Sequence, residues 1–268
     1  MEDHEGSIYQ VQECERVALG LHQKFDEGRA EKGESFHNQY HIKAVVEAAT
    51  SLVKAAIEGK DPLQLNRQLD LWNKDNSDHQ INRLEEFLEV IQYAFLWHDL
   101  GNICQDVEVD NGQVKPIYHE NNNYQAKDAE ERSKEIAKKL ASVFINDENK
   151  RTRFLPLILH LIEQTKFSSQ PTELFNKFIQ VVDQIGNVVF INPNMRLKQV
   201  CGLLNEMKKE NPQFTYVPDI FFNFFYKRFP ELVPDGPTRE EIMKIWQSNS
   251  GTIPDKIEGL PRNKISID

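Results

Sequence analysis

His41, His98, Asp99 and Asp183 are the residues of this 268-residue chain whose types and settings suit one chemistry, the holding of a divalent cation. His98-Asp99 ends the otherwise apolar run AFLWHDLGN. An imidazole or carboxylate there is costly unless a partner compensates it. On its own the pair reads as a capped helix end with a hydrogen-bonded core histidine. His41 in SFHNQYHIKAVVEAA and Asp183 in FNKFIQVVDQIGNVVF change that reading, because each also borders an apolar stripe. Two nitrogens and two carboxylates suit one ion of Mn²⁺, Fe²⁺, Co²⁺, Ni²⁺, Zn²⁺ or Mg²⁺, and the sequence does not choose among them. Without thiolates, a closed structural zinc site is not expected. These ligands would leave open positions on a six-coordinate ion for water and substrate. Water held there becomes acidic enough to attack a phosphorus centre near neutral pH.

Helical periodicity must position these groups. In 39–58, Ile42, Val45, Val46, Ala49, Leu52, Val53 and Ala56 recur at helical spacing, and His41 lies beside that stripe. Ser35 is the expected N-cap of this helix. In 81–98 the stripe Leu84, Phe87, Leu88, Ile91, Ala94 and Phe95 continues to His98, and Gly101 is expected to end the helix. Asp183 borders the stripe of Phe175, Phe178, Ile179, Val182, Ile185 and Val189 in a helix expected over 172–190. Further helices are expected at 9–28, 123–146, 151–166, 195–210, 218–229 and 238–247. Clear strand alternation is absent, so the expected class is all-α. In the long loop 105–123, DNG could turn a small hairpin.

The bulk composition limits the partners. A net charge of −10 argues against a large nucleic-acid surface or an anionic membrane surface. A small basic pocket for one phosphate remains compatible with it. No apolar run approaches the ~20 residues of a membrane span, and the acidic N-terminus does not resemble a secretory leader. Cys14, Cys104 and Cys201 are widely spaced with no CxxC, which suggests a reducing, cytoplasmic setting. Residues 1–192 are expected to form the site-bearing domain. Residues 193–268 are expected to be a helical extension packed on the same core, with a polar tail. Its aromatic run FFNFFYKRF (221–229) suits helix packing or a homodimer contact.

The order H…HD…D on helices resembles the HD-domain superfamily of metal-dependent phosphohydrolases. The resemblance runs over about 36–190 through FHNQYHI, FLWHDLG, AEERSKEIAKKL, LILHLIEQTKF and VVDQIGN. It implies a helical bundle around a metal and hydrolysis of a phosphomonoester or phosphodiester, commonly of a nucleotide. By that resemblance His41, His98, Asp99 and Asp183 are the metal ligands. His37 matches the first histidine of HNxxH, which protonates the leaving oxygen in the cyclic-nucleotide phosphodiesterases of the superfamily; an imidazole near neutral pKa suits that task. Asp99 or Asp183 is expected to orient the water, with Asp99 the catalytic candidate. Glu131 matches a pocket segment, and Arg132 and Lys166 are candidates to hold phosphate oxygens.

The chain departs from the family in two respects. Asn102 stands where the nucleotidase branch carries a glutamate. Ala129 and Thr165-Lys166 stand where two-metal members carry histidines, so one metal is expected; His119 and His160 could still supply a second site. His4, His22 and His79 sit in polar sequence and carry no expected role. Two other readings stay open: a non-catalytic HD-fold ligand-binding or regulatory module, and an HD-fold oxygenase, which needs two irons.

Overall fold

Helix α1 (Glu2–Glu27) buries Val11, Cys14, Ala18, Leu21 and Phe25, a spacing of three and four that lines one helical face. A computed structural model describes residues 2–28, 36–61, 63–120, 125, 127–166 and 174–185, with side chains from residue 8 to residue 183. The expected extension 193–268, its helices, the aromatic run 221–229, Ser35 and Cys201 lie outside the described residues. The described chain is mostly helical with one two-stranded sheet.

Helix α2 (Gln39–Ile57) begins at Asn38, not at Ser35. The Asn38 side-chain oxygen accepts from the amides of Tyr40 (2.8 Å) and His41 (3.2 Å), satisfying two donors of the first turn. Helix α3 (Leu65–Asp75) is followed by a 3₁₀ turn at Ser77–His79. Helix α4 (Leu84–Trp97) is buried nearly all round, through Phe87, Val90, Ile91, Tyr93, Phe95, Leu96 and Trp97. A helix apolar on every side belongs at the centre of a bundle, and α4 packs against α1, α2, α6 (Ala129–Phe144) and α7 (Glu148–Glu163). Burying one such Phe or Ile side chain contributes about 1.5–3 kcal/mol.

The chain does not stop at Gly101. It turns at His98 and Asp99, then forms the short helix α5 (Leu100–Ile103), which contains that glycine. Gly101 is required there by close approach: a Cβ would lie 2.0 Å from the Ala129 carbonyl oxygen and 2.7 Å from the Ser133 amide nitrogen. Strands β1 (Cys104–Asp110) and β2 (Gln113–Tyr118) then form an antiparallel hairpin. Its turn residues Asn111 and Gly112 both have positive φ (49° and 75°), as a right-twisted two-residue hairpin demands. Asp147 caps α7 by accepting from the Lys150 amide. The segment expected as one helix over 172–190 is described as α8 (Asn176–Gln180) running into a π-helical turn, Val181–Ile185, that carries Asp183. Among the described residues, no helix is long and apolar enough to cross a membrane.

Candidate metal centre

His41 enters from the first turn of α2. Once Asn38 fixes where that helix starts, His41 shares the buried face with Val45, Ala48 and Leu52, and it is fully buried. His98 follows the last turn of α4. Its Nδ1–H donates to the Phe95 carbonyl (2.8 Å), which orients the ring with Nε2 toward His41. Asp99 leaves helical geometry (φ −103°, ψ 1°) and turns its carboxylate into the same region. Asn102, one turn on, donates its side-chain amide to Asp99 Oδ1 at 2.9 Å.

The ligand-type atoms converge. The Nε2 atoms of His41 and His98 are 3.2 Å apart. Asp99 Oδ2 lies 2.9 Å from His41 Nε2 and 3.2 Å from His98 Nε2. Asp183 Oδ1 lies 3.5 Å and 3.7 Å from the same two nitrogens. Ligands at about 2.0–2.2 Å from one ion stand roughly 3 Å from each other, so these separations are those of a coordination shell. Asp99 Oδ2 is buried and lacks a partner in hydrogen-bond geometry, although His41 is close. A buried oxygen of this kind calls for a compensating group. Among the described residues, His41, His98 and Asp183 have ligand atoms within 4.8 Å of one another, a group able to hold a metal ion.

Electrostatics point the same way. Burial opposes charge on His98, but the carboxylates of Asp99 and Asp183 outweigh it and hold its pKa well above the ordinary imidazole range. Burial likewise opposes charge on Asp99, and His37, His98 and His41 outweigh it, holding its carboxyl well below the usual range. The protein without metal therefore places positive charge on His98 beside ionised carboxylates. A dication would take over that compensating role. His37 stands at the edge, with Nε2 3.8 Å from Asp99 Oδ2.

The other candidate residues hold different partners. Arg132 spreads its guanidinium over three backbone carbonyls: Gly101 (2.9 Å), Lys127 (2.5 Å) and Gln125 (2.6 Å). It thereby braces the segment before α6 against α5. Glu131 accepts from Lys134 and Lys166, and both lysines also reach Glu163 on the surface between α6 and α7. His119 Nε2–H donates to the Gly101 carbonyl (3.1 Å), and burial lowers its pKa. His160 Nε2–H donates to the Leu174 carbonyl (3.2 Å), with its ring against Trp72.

His22 corrects the sequence reading. It is fully buried, not set in polar surroundings. Its Nδ1 is 2.9 Å from the His37 carbonyl oxygen. Burial brings its pKa down to about 4, against an opposing pull from Asp99. The signal was present: His22 lies four residues after Ala18 and three before Phe25, on the buried face of α1.

No family model matches this chain, and no curated protein or solved structure is significantly similar to it.

Proposed function

We propose that this chain is a metal-dependent phosphohydrolase with an HD-type arrangement of helices. The observation that carries the reading is the convergence of His41, His98, Asp99 and Asp183 from α2, the end of α4 and the π turn on one buried point. One divalent cation, held by His41 Nε2, His98 Nε2, Asp99 Oδ2 and Asp183 Oδ1, would supply Lewis acidity toward a phosphoryl oxygen and acidify a water.

The chain's own residues do the rest. Asn102 occupies Asp99 Oδ1 and so leaves Oδ2 for the cation and for aligning water. His37, less buried than His41, His98 and Asp99 and next to Asp99, is placed to give a proton to the departing oxygen. The sequence resemblance favours a small, nucleotide-like phosphoester as substrate. The acidic net charge supports a small ligand over a long nucleic acid. A cytoplasmic setting and a homodimer through residues 221–229 belong to the same reading.

The test begins with metal content per chain after purification and after loading with Mn²⁺, Zn²⁺, Co²⁺ and Mg²⁺ separately. Loaded protein is then screened against bis(4-nitrophenyl) phosphate, 4-nitrophenyl phosphate and a panel of nucleotides, with Asp99→Ala as control. The expected result is one metal per chain and turnover that Asp99→Ala abolishes. Two irons per chain would favour oxygenase chemistry. Tight nucleotide binding without turnover would favour a regulatory module. Absence of bound metal, with activity indifferent to Asp99→Ala, would remove the proposal.

A further inference from the structure

His22 is a buried imidazole with one nitrogen committed and one unpartnered. A carbonyl can only accept, so the contact with the His37 carbonyl (2.9 Å) puts the hydrogen on Nδ1. Nε2 then keeps its lone pair, and this atom is buried with no hydrogen-bond partner among the described residues. His98 has the same arrangement, with Nδ1–H on the Phe95 carbonyl and Nε2 in the cluster. A ring N–H fixed on a backbone carbonyl is how proteins set the tautomer and orientation of a metal-site imidazole.

Its location matches. His22 Nδ1 is 2.9 Å from the His37 carbonyl oxygen, and the His37 ring in turn lies 3.8 Å from Asp99 Oδ2 at the edge of the cluster. The Nε2 of His22 does not join His41, His98 and Asp183 in the group whose ligand atoms lie within 4.8 Å of one another. A water that donates to it would satisfy such a buried acceptor beside a cation pocket.

We infer that His22 is a positioning residue of this centre: its Nε2 accepts a hydrogen bond from a water in the cation pocket, while its Nδ1–H holds the His37 carbonyl. The water, with one hydrogen committed to His22, has its lone pair aimed in a fixed direction. The same side chain ties the segment bearing His37 to α1. This inference rests on the metal-centre reading and extends it to a residue outside the ligand set.

The test uses the whole chain and Zn²⁺ alone. Side-chain nitrogen NMR of the histidines is recorded across a Zn²⁺ titration, with His22 assigned through His22→Asn. The His41 and His98 Nε2 signals are expected to move strongly. The His22 Nε2 signal should move in step with them but by less, as for an acceptor and not a ligand. If His41 and His98 move while His22 stays still, the inference fails and the metal reading stands. If none of them moves, the metal reading itself fails.

Two substitutions separate the nitrogens of the ring. Asn keeps an amide donor at the Nδ1 position, and Gln keeps an amide oxygen at the Nε2 position. Zn²⁺ affinity by calorimetry is expected to fall about tenfold in His22→Asn and to hold within about threefold in His22→Gln. The reverse order would reduce His22 to a brace for the His37 carbonyl and overturn the inference.

Discussion

His41 and His98, 57 residues apart in the chain, bring their Nε2 atoms to 3.2 Å of each other inside the bundle. Both rings are buried, and Asp99 and Asp183 flank the pair. His41, His98 and Asp183 form a group able to hold a metal ion. Added cation should therefore stabilise the fold. At a free concentration a hundred times its Kd, a divalent cation adds about 2.7 kcal/mol, read as an upward shift in melting temperature. Asp183→Asn and His98→Gln should lose most of that shift while remaining folded without metal.

Metal affinity should rise with pH. The pKa of His98 is held well above the ordinary imidazole range by Asp99 and Asp183. Its proton must leave before Nε2 can bind a cation. Below that raised pKa, affinity should increase by up to about tenfold per pH unit, with the proton release measured by calorimetry in buffers of different ionisation enthalpy. An affinity independent of pH across the neutral range would contradict the placement of that proton.

Asn102 is the residue at which this chain departs from its nucleotidase-like resemblance, and its amide donates to Asp99 Oδ1. A carboxylate at 102 could not make that donation and would add a like charge beside Asp99. Asn102→Glu should lower metal affinity roughly tenfold or more, by the scale of residues that orient ligands. Asn102→Asp should behave similarly. Unchanged affinity in both would show that the hydrogen bond does not orient Asp99.

Gly101→Ala tests how tightly α5 seats on α6. The added carbon would meet the Ala129 carbonyl oxygen at 2.0 Å, a backbone atom that cannot move alone. Destabilisation of about 3 kcal/mol or more is expected in denaturant melts. Arg132 closes the same junction from outside. Arg132→Lys should fail to replace it, since one ammonium cannot span the three carbonyls that the guanidinium reaches.

His22 predicts acid sensitivity with a definite sign. Burial holds its folded-state pKa at about 4, whereas an unfolded histidine titrates near about 6.5. Between those values the unfolded chain binds the extra proton, so stability falls as pH falls. The contribution lost by pH 4 is about 3 kcal/mol. Comparing the pH dependence of unfolding free energy for wild type and His22→Gln isolates it. The wild type should lose more stability between pH 6.5 and 4, and equal slopes would contradict a buried neutral imidazole.

Periodicity by itself determined the buried faces of α2 and α4, and with them the inward position of His41 and His98. It does so because a helix puts every third and fourth side chain on one face, whatever that face packs against. The DNG of the hairpin was legible for a similar local reason, since Asn-Gly tolerates the positive φ that a right-twisted turn needs. The start of α2 is legible at 39, but its cap is Asn38 and not Ser35, because both are acceptable capping residues.

Tertiary structure decided which polar groups meet. Nothing along the chain says that Arg132 reaches back to the Gly101 carbonyl, that Asn102 holds Asp99, or that Lys166 pairs with Glu131 and Glu163. Those partners depend on how α5, α6 and α7 pack together. His22 stands in the polar-looking segment GLHQKFDE; its spacing from Ala18 and Phe25 marks the buried face, but only the packing of α1 brings it to the His37 carbonyl. Helical spacing is a local property of the backbone. The convergence of His41, His98, Asp99 and Asp183 is a property of several segments at once, fixed by how their apolar faces close over a common core.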